Sequence, residues 1–206
     1  MTGRADAAPA PAEGMAPAQT DWLYHHLRVS GEPAVVAAFG AAAAGAGVLP
    51  WQHDLDRAEE DWFHLLVAPP PPLARRLSLE GARHLAGQLR QAAEARQRLV
   101  ADRAGASRAC PLDLHRLLPV PERLLRLGPD HPEARAWLWA HWGTLQALRH
   151  VVALPVPQRG QPPKRDPGLW WVGFWSADWT PWPAIRQLRA LWPGLRIAVQ
   201  PHYDDP

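Results

Sequence analysis

Histidines, a lone cysteine, an aspartate beside a proline and a cluster of tryptophans are the residues of this 206-residue chain whose types could support chemistry. His25 and His26 sit in Leu23-Tyr24-His25-His26-Leu27-Arg28-Val29, which alternates like a half-buried strand. Adjacent strand residues point to opposite faces, so the two imidazoles cannot converge on one ion. His131 and His141 share a helical segment but lie outside the i, i+4 spacing of a helical zinc pair. Cys110 is the only thiol, which forbids an internal disulfide and an all-cysteine cage. It precedes Pro111 at a strand entrance, and a structural thiol is expected there. A nucleophile would need an imidazole and a cation or helix N-terminus close by. The glycines of Gly40 to Gly47 follow a helix and lack the lysine and hydroxyl of a phosphate-binding loop. No metal and no cofactor are expected.

Two further groups are candidates for ligand binding. His141, Trp142, Thr144, Asp178 and Trp179 would line a cleft if the end of one helix met the turn before Pro181. Asp178 is a possible general base there, although Asp before a proline-opened helix is more often a cap or turn former. Trp170, Trp171, Trp175, Trp179 and Trp182 put indoles on both sides of one strand. Sheets that bind RNA stack bases on exposed aromatics of their central strands. Such sheets set basic residues beside the rings, and no Arg or Lys lies between Trp170 and Trp182. The expectation is therefore a strand covered on both faces, with the helices of 78–103 and 131–142 on the second.

The elements that must position these groups follow from periodicity and punctuation. Residues 1–20 are Ala, Pro and small polar residues that cannot offset chain entropy, and a disordered tail is expected. A strand at 23–29 leads through Ser30-Gly31-Glu32-Pro33 into a helix from Ala34 to about Ala44. Trp62 to Val67, stopped by Pro69 to Pro72, predicts a short edge strand. Ser78 to Arg103 predicts a helix with Ser78 as N-cap. Arg90, Arg96 and Arg103 on that helix are the candidate nucleic-acid contacts, against a solvated face as the commoner outcome.

Leu112 and Leu114 predict a second core strand, and Arg123 to Leu127 an amphipathic turn. Asp130-His131-Pro132-Glu133 predicts a helix start, with Asp130 as cap and Glu133 bonding back to it. Leu145 to Leu154 and Leu169 to Ser176 are extended, joined by an exposed proline-rich loop at 155–168. Pro181 and Pro183 open a helix with Ile185, Leu188, Leu191 and Trp192 on one face. A final strand alternates Leu195, Ile197 and Val199 inward with Arg196 and Gln200 outward.

With residues 46–109 set aside as a helical insertion, this order is the split β-α-β of an α+β, ferredoxin-like sandwich, a single domain over 21–206. Leu27 to Pro33 with Val35-Val36-Ala37-Ala38-Phe39, Leu112 to Glu122, Trp142-Gly143-Thr144, and Ser176 to Pro181 resemble, in that order, the YubB ferredoxin-like domain proteins of bacteria, plasmids and phages. The resemblance covers about 22–45 and 110–205. It implies the fold and a mobile-element origin, and no established activity. That family continues Trp-Gly-Thr with Lys-Trp and an Asn or Asp, where this chain has Leu145, Gln146 and Leu148.

Lys and Arg number 22 against 20 Asp and Glu, a formal charge of +2, so no global field draws the chain to nucleic acid. No apolar run is long enough to cross a bilayer and no signal-peptide pattern opens the chain, so no membrane partner and a cytoplasmic location are expected. The favoured function is a non-enzymatic interaction module that binds another protein. One alternative is a small-molecule enzyme or ligand-binding protein with its cleft near Trp142 to Thr144 and Asp178. The second is a nucleic-acid-binding module using the arginine-bearing helix. Oligomeric state is left open.

Overall fold

In the computed structural model, which describes residues 20–69, 73, 77–155 and 167–203, the first alternating run is strand β1, Trp22–Gly31. His25, Leu27 and Val29 are buried on one side of it. Helix α1, Pro33–Ala43, starts on a proline whose missing N–H costs nothing in the first turn, and it turns Val36, Phe39 and Ala43 inward. The tail before Thr20, most of the proline-rich loop and Asp204-Asp205 lie outside the described residues.

Two expected strands are helices. Trp62 to Val67 belongs to helix α2, Leu55–Val67, capped by the Asp54 carboxylate, which accepts from the Arg57 N–H at 3.0 Å. Leu55, Ala58, Trp62 and Leu66 recur at helical spacing and are half-buried. That longer period outweighs the apolar run that suggested a strand. α2 packs on helix α3, Leu79–Ala106, whose N-cap is Ser78 as expected.

Leu112 and Leu114 are core residues, but they are not in a strand. A single bridge between Gly45 and Cys110 is followed by helix α4, Leu114–Leu117, because Asp113 caps it by accepting from the His115 N–H at 2.9 Å. Helix α5, Glu122–Leu127, ends at Gly128. Helix α6, Pro132–His141, takes its cap from His131, whose Nδ1 accepts from the Glu133 N–H at 3.2 Å, and not from Asp130. The Glu133 carboxylate reaches Arg123 instead.

Strands β2, Arg149–Ala153, and β3, Leu169–Ala177, are followed by helix α7, Trp182–Leu191, and strand β4, Leu195–His202. Ile185 and Leu188 of α7 are buried as expected, whereas Leu191 is exposed. The sheet order is β2-β3-β1-β4 with every neighbour antiparallel, the ferredoxin-like arrangement in which β3 lies between the two parallel strands of the first split unit.

One face of this sheet carries Leu27, Val29, Val172, Phe174, Leu195 and Ile197 and is covered by α1 and α7. Each such apolar side chain taken from water contributes about 1.5–3 kcal/mol. The other face has Trp22, Tyr24, His26 and Arg28 from β1 and Trp171, Gly173 and Trp175 from β3, with Arg196, Gln200 and His202 from β4. None of the described helices packs on it. The expected cover of 78–103 and 131–142 is thus corrected: α3 spends its inward face on α2, and α6 packs on α5 and α7.

Candidate functional site

The cluster expected near the end of α6 divides into structural and exposed parts. Trp142 is 1% exposed, and its indole N–H donates to the Leu118 carbonyl at 3.0 Å. Thr144 is fully buried and donates to the Ala177 carbonyl at 3.1 Å. Gly143 between them stops α6 at φ +78, and a Cβ there would lie 2.4 Å from Pro183 Cδ. Trp-Gly-Thr is therefore a helix stop that lets α6 meet α7. His141 stacks on Trp137 at 4.4 Å, and its carbonyl accepts from the Gln187 amide. Asp178 is exposed in a turn at φ +64 and accepts from the Asp21 N–H at 3.3 Å. Trp179 beside it is 62% exposed.

The three candidate arginines of α3, Arg90, Arg96 and Arg103, do not form one footprint. Arg90 is held by Asp56 and Glu59 of α2, at 2.7 and 3.0 Å. Arg96 lies in a cleft described below, and Arg103 stands in the last turn of the helix. Arg83 is also engaged, by Glu60 and by the Phe63 ring 3.7 Å away.

The open sheet face brings together side chains that sequence windows kept apart. Tyr24 contacts Trp175 at 5.2 Å and His202 at 5.7 Å between ring centroids. His26 bridges Trp171 at 5.2 Å and His202 at 4.2 Å. Gly173 is required beneath this network, because a Cβ there would fall 2.2 Å from the Tyr24 hydroxyl. Arginines flank the rings: Arg28 lies over Trp171 at 5.8 Å, and Arg149 over Trp22 at 3.9 Å.

No Asp or Glu occurs in any of the four strands, which supply Arg28, Arg149 and Arg196. Two ring nitrogens on this face, Trp171 Nε1 and His202 Nε2, have no hydrogen-bond partner among the described residues. The missing signal in the sequence was positional. The basic residues beside the β3 tryptophans come from β1, β2 and β4.

His25, on the covered face, shows the opposite electrostatics. It is fully buried, stacks on Phe174 at 5.0 Å, and its Nε2 lies 2.9 Å from Thr180 Oγ. Ser176 Oγ donates to the Trp179 carbonyl and lies 3.4 Å from His25 Nδ1. An imidazole with its proton on Nδ1 satisfies both contacts, with the Thr180 hydroxyl donating to Nε2. Burial lowers its pKa to about 4, aided by the nearby His202 and opposed by a backbone hydrogen bond at Leu23. As expected, His25 and His26 face opposite ways. Cys110 donates from Sγ to the Leu112 carbonyl, and burial pushes its thiol up, which fits a structural thiol rather than a nucleophile.

A cleft of about 870 Å³ opens where α3, the start of α6 and the 145–149 segment meet. Its walls include Asp178 but neither His141 nor Thr144, and they add Trp51, Arg96, Asp130, Arg135 and Arg149. Gln146, where the resembled family has other residues, donates to Thr20 Oγ and accepts from Arg149.

No family model matches the chain, and no curated protein matches its sequence. Among solved structures it is similar to the protein api92 from Yersinia pseudotuberculosis, of the DUF1281 family. That likeness has 12% identity over 88% of this chain and 90% of that one, with a TM-score of 0.44. No described helix is long and apolar enough to cross a membrane.

Proposed function

We propose that this protein is a non-enzymatic binding module whose open sheet face takes single-stranded nucleic acid. The observation that carries the reading is a run of aromatic rings on the two central strands, flanked by Arg28 and Arg149, on a sheet whose strands hold no carboxylate. Rings on central strands of a ferredoxin-like sheet stack two or three unstacked bases, each worth about 1–3 kcal/mol, while arginines neutralise the phosphates. The expectation of a protein partner rested on the absence of a catalytic, metal or cofactor motif and on a formal charge of only +2, and in sequence no basic residues stand near the tryptophans. Strand pairing supplies them.

Fluorescence polarisation of the full chain with labelled single-stranded DNA and RNA, at low and then raised salt, tests this. The expected result is binding that weakens with salt at a log–log slope of about −2 for three arginine contacts. It should weaken at least tenfold on Arg28→Ala with Arg149→Ala. Both side chains are exposed, so the fold should persist. Duplex DNA should bind less well, because its stacked bases cannot lie on the rings. No binding at low salt, or binding indifferent to both substitutions, would overturn the reading and return the face to a protein partner.

A further inference from the structure

The cleft beside Asp178 is continuous with the aromatic face through one residue. Arg149 lies over the Trp22 ring on the sheet and also forms part of the cleft wall. Beyond it stand Arg96 of α3 and Arg135 of α6, both exposed and neither in an ion pair among the described residues. Trp51 supplies an aromatic surface, and Asp130 and Asp178 supply acceptors. Two carboxylates among three guanidinium groups do not make a trap for a bare anion. They suit a nucleotide, whose phosphate takes the arginines and whose exocyclic amines or ribose hydroxyls donate to the carboxylates. A volume of about 870 Å³ lies within the range of about 300–1,000 Å³ that ligand pockets span.

We propose that a strand lying on the sheet passes over Trp22 and Arg149 and places a further nucleotide in this cleft, between Arg96 and Arg135. The inference rests on the sheet-face reading and adds a second contact zone to it. A consequence is that site size exceeds what the sheet alone can hold. A tetranucleotide should be held by the sheet alone, whereas a dodecanucleotide can span both zones.

The test is polarisation of the full chain with a tetranucleotide and a dodecanucleotide of mixed dA and dC, against Arg96→Ala with Arg135→Ala. The expected result is tetranucleotide affinity unchanged within about twofold and dodecanucleotide affinity lowered about tenfold or more. The dodecanucleotide salt slope should fall from about −3.5 to about −2, as two phosphate contacts are lost. Arg90→Ala, whose partners are Asp56 and Glu59, should change neither. If the dodecanucleotide is indifferent to the double substitution while Arg28→Ala weakens both oligonucleotides, the cleft plays no part and the sheet reading stands. If neither oligonucleotide binds, both readings fall.

Discussion

The buried imidazole of His25 makes stability depend on pH in a direction and window that can be worked out. Its ordinary pKa of 6.5 falls to about 4 in the folded chain, chiefly because burial disfavours the charged ring. Between those values the unfolded chain binds a proton that the folded chain does not, so stability falls as pH drops through 6.5 toward 4. The full difference corresponds to about 3 kcal/mol, of which about 2 kcal/mol is lost between about pH 7 and pH 5. Urea denaturation across that window, for wild type and His25→Gln, isolates this contribution. The amide keeps a donor and an acceptor for Thr180 and Ser176 but does not titrate.

His26 and His115 are also lowered by burial, yet both remain in the variant and cancel in the comparison. Wild type should therefore lose about 2 kcal/mol more than the variant on acidification, whatever the variant's starting stability. A pH-independent gap between the two would refute the reasoning and mean that His25 meets solvent or a counter-charge in the folded protein.

Two other outcomes follow from local geometry. Gly143→Ala would need a side chain at φ +78 and a Cβ 2.4 Å from Pro183 Cδ, so it should cost at least about 1–2 kcal/mol, seen as a lower urea midpoint at unchanged m-value. On the sheet face, burial and then His202 lower the His26 pKa, so its positive charge appears only below the ordinary histidine value of 6.5. Single-strand affinity, measured by polarisation, should strengthen as pH falls below that value, and His26→Gln should flatten the rise.

Much of the architecture was legible because its signals are local. The alternation around His25, the proline at the start of α1, the serine before α3 and the alternation from Leu195 each act within a few residues, and each element formed where they stood. The misassigned segments show what short windows lose. Trp62 to Val67 looks like a strand only when Asp54 and Leu55 are left out, since the cap and the helical period begin before the apolar run. Leu112 and Leu114 alternate and are buried, but Asp113 between them is also buried and caps a helix, so burial alone did not make the segment part of the sheet.

The candidate site was less legible for a related reason. A binding face on a sheet is assembled across strands, and its composition is a property of register rather than of sequence distance. Between Trp170 and Trp182 the chain carries rings without cations. The antiparallel pairing of β1 with β3 sets Arg28 directly opposite Trp171, and the pairing of β2 with β3 sets Arg149 opposite Trp175. With the four strands located, one compositional feature bears on this, namely the absence of Asp and Glu from all of them. Strands on a solvated face ordinarily intersperse both signs of charge, so a sheet whose outward positions hold arginines and histidines but no carboxylate is biased toward an anionic partner. The net charge of +2 concealed that bias, because acidic residues elsewhere, including those of α2 that hold Arg83 and Arg90, offset the arginines of the sheet in the total while lying off its face.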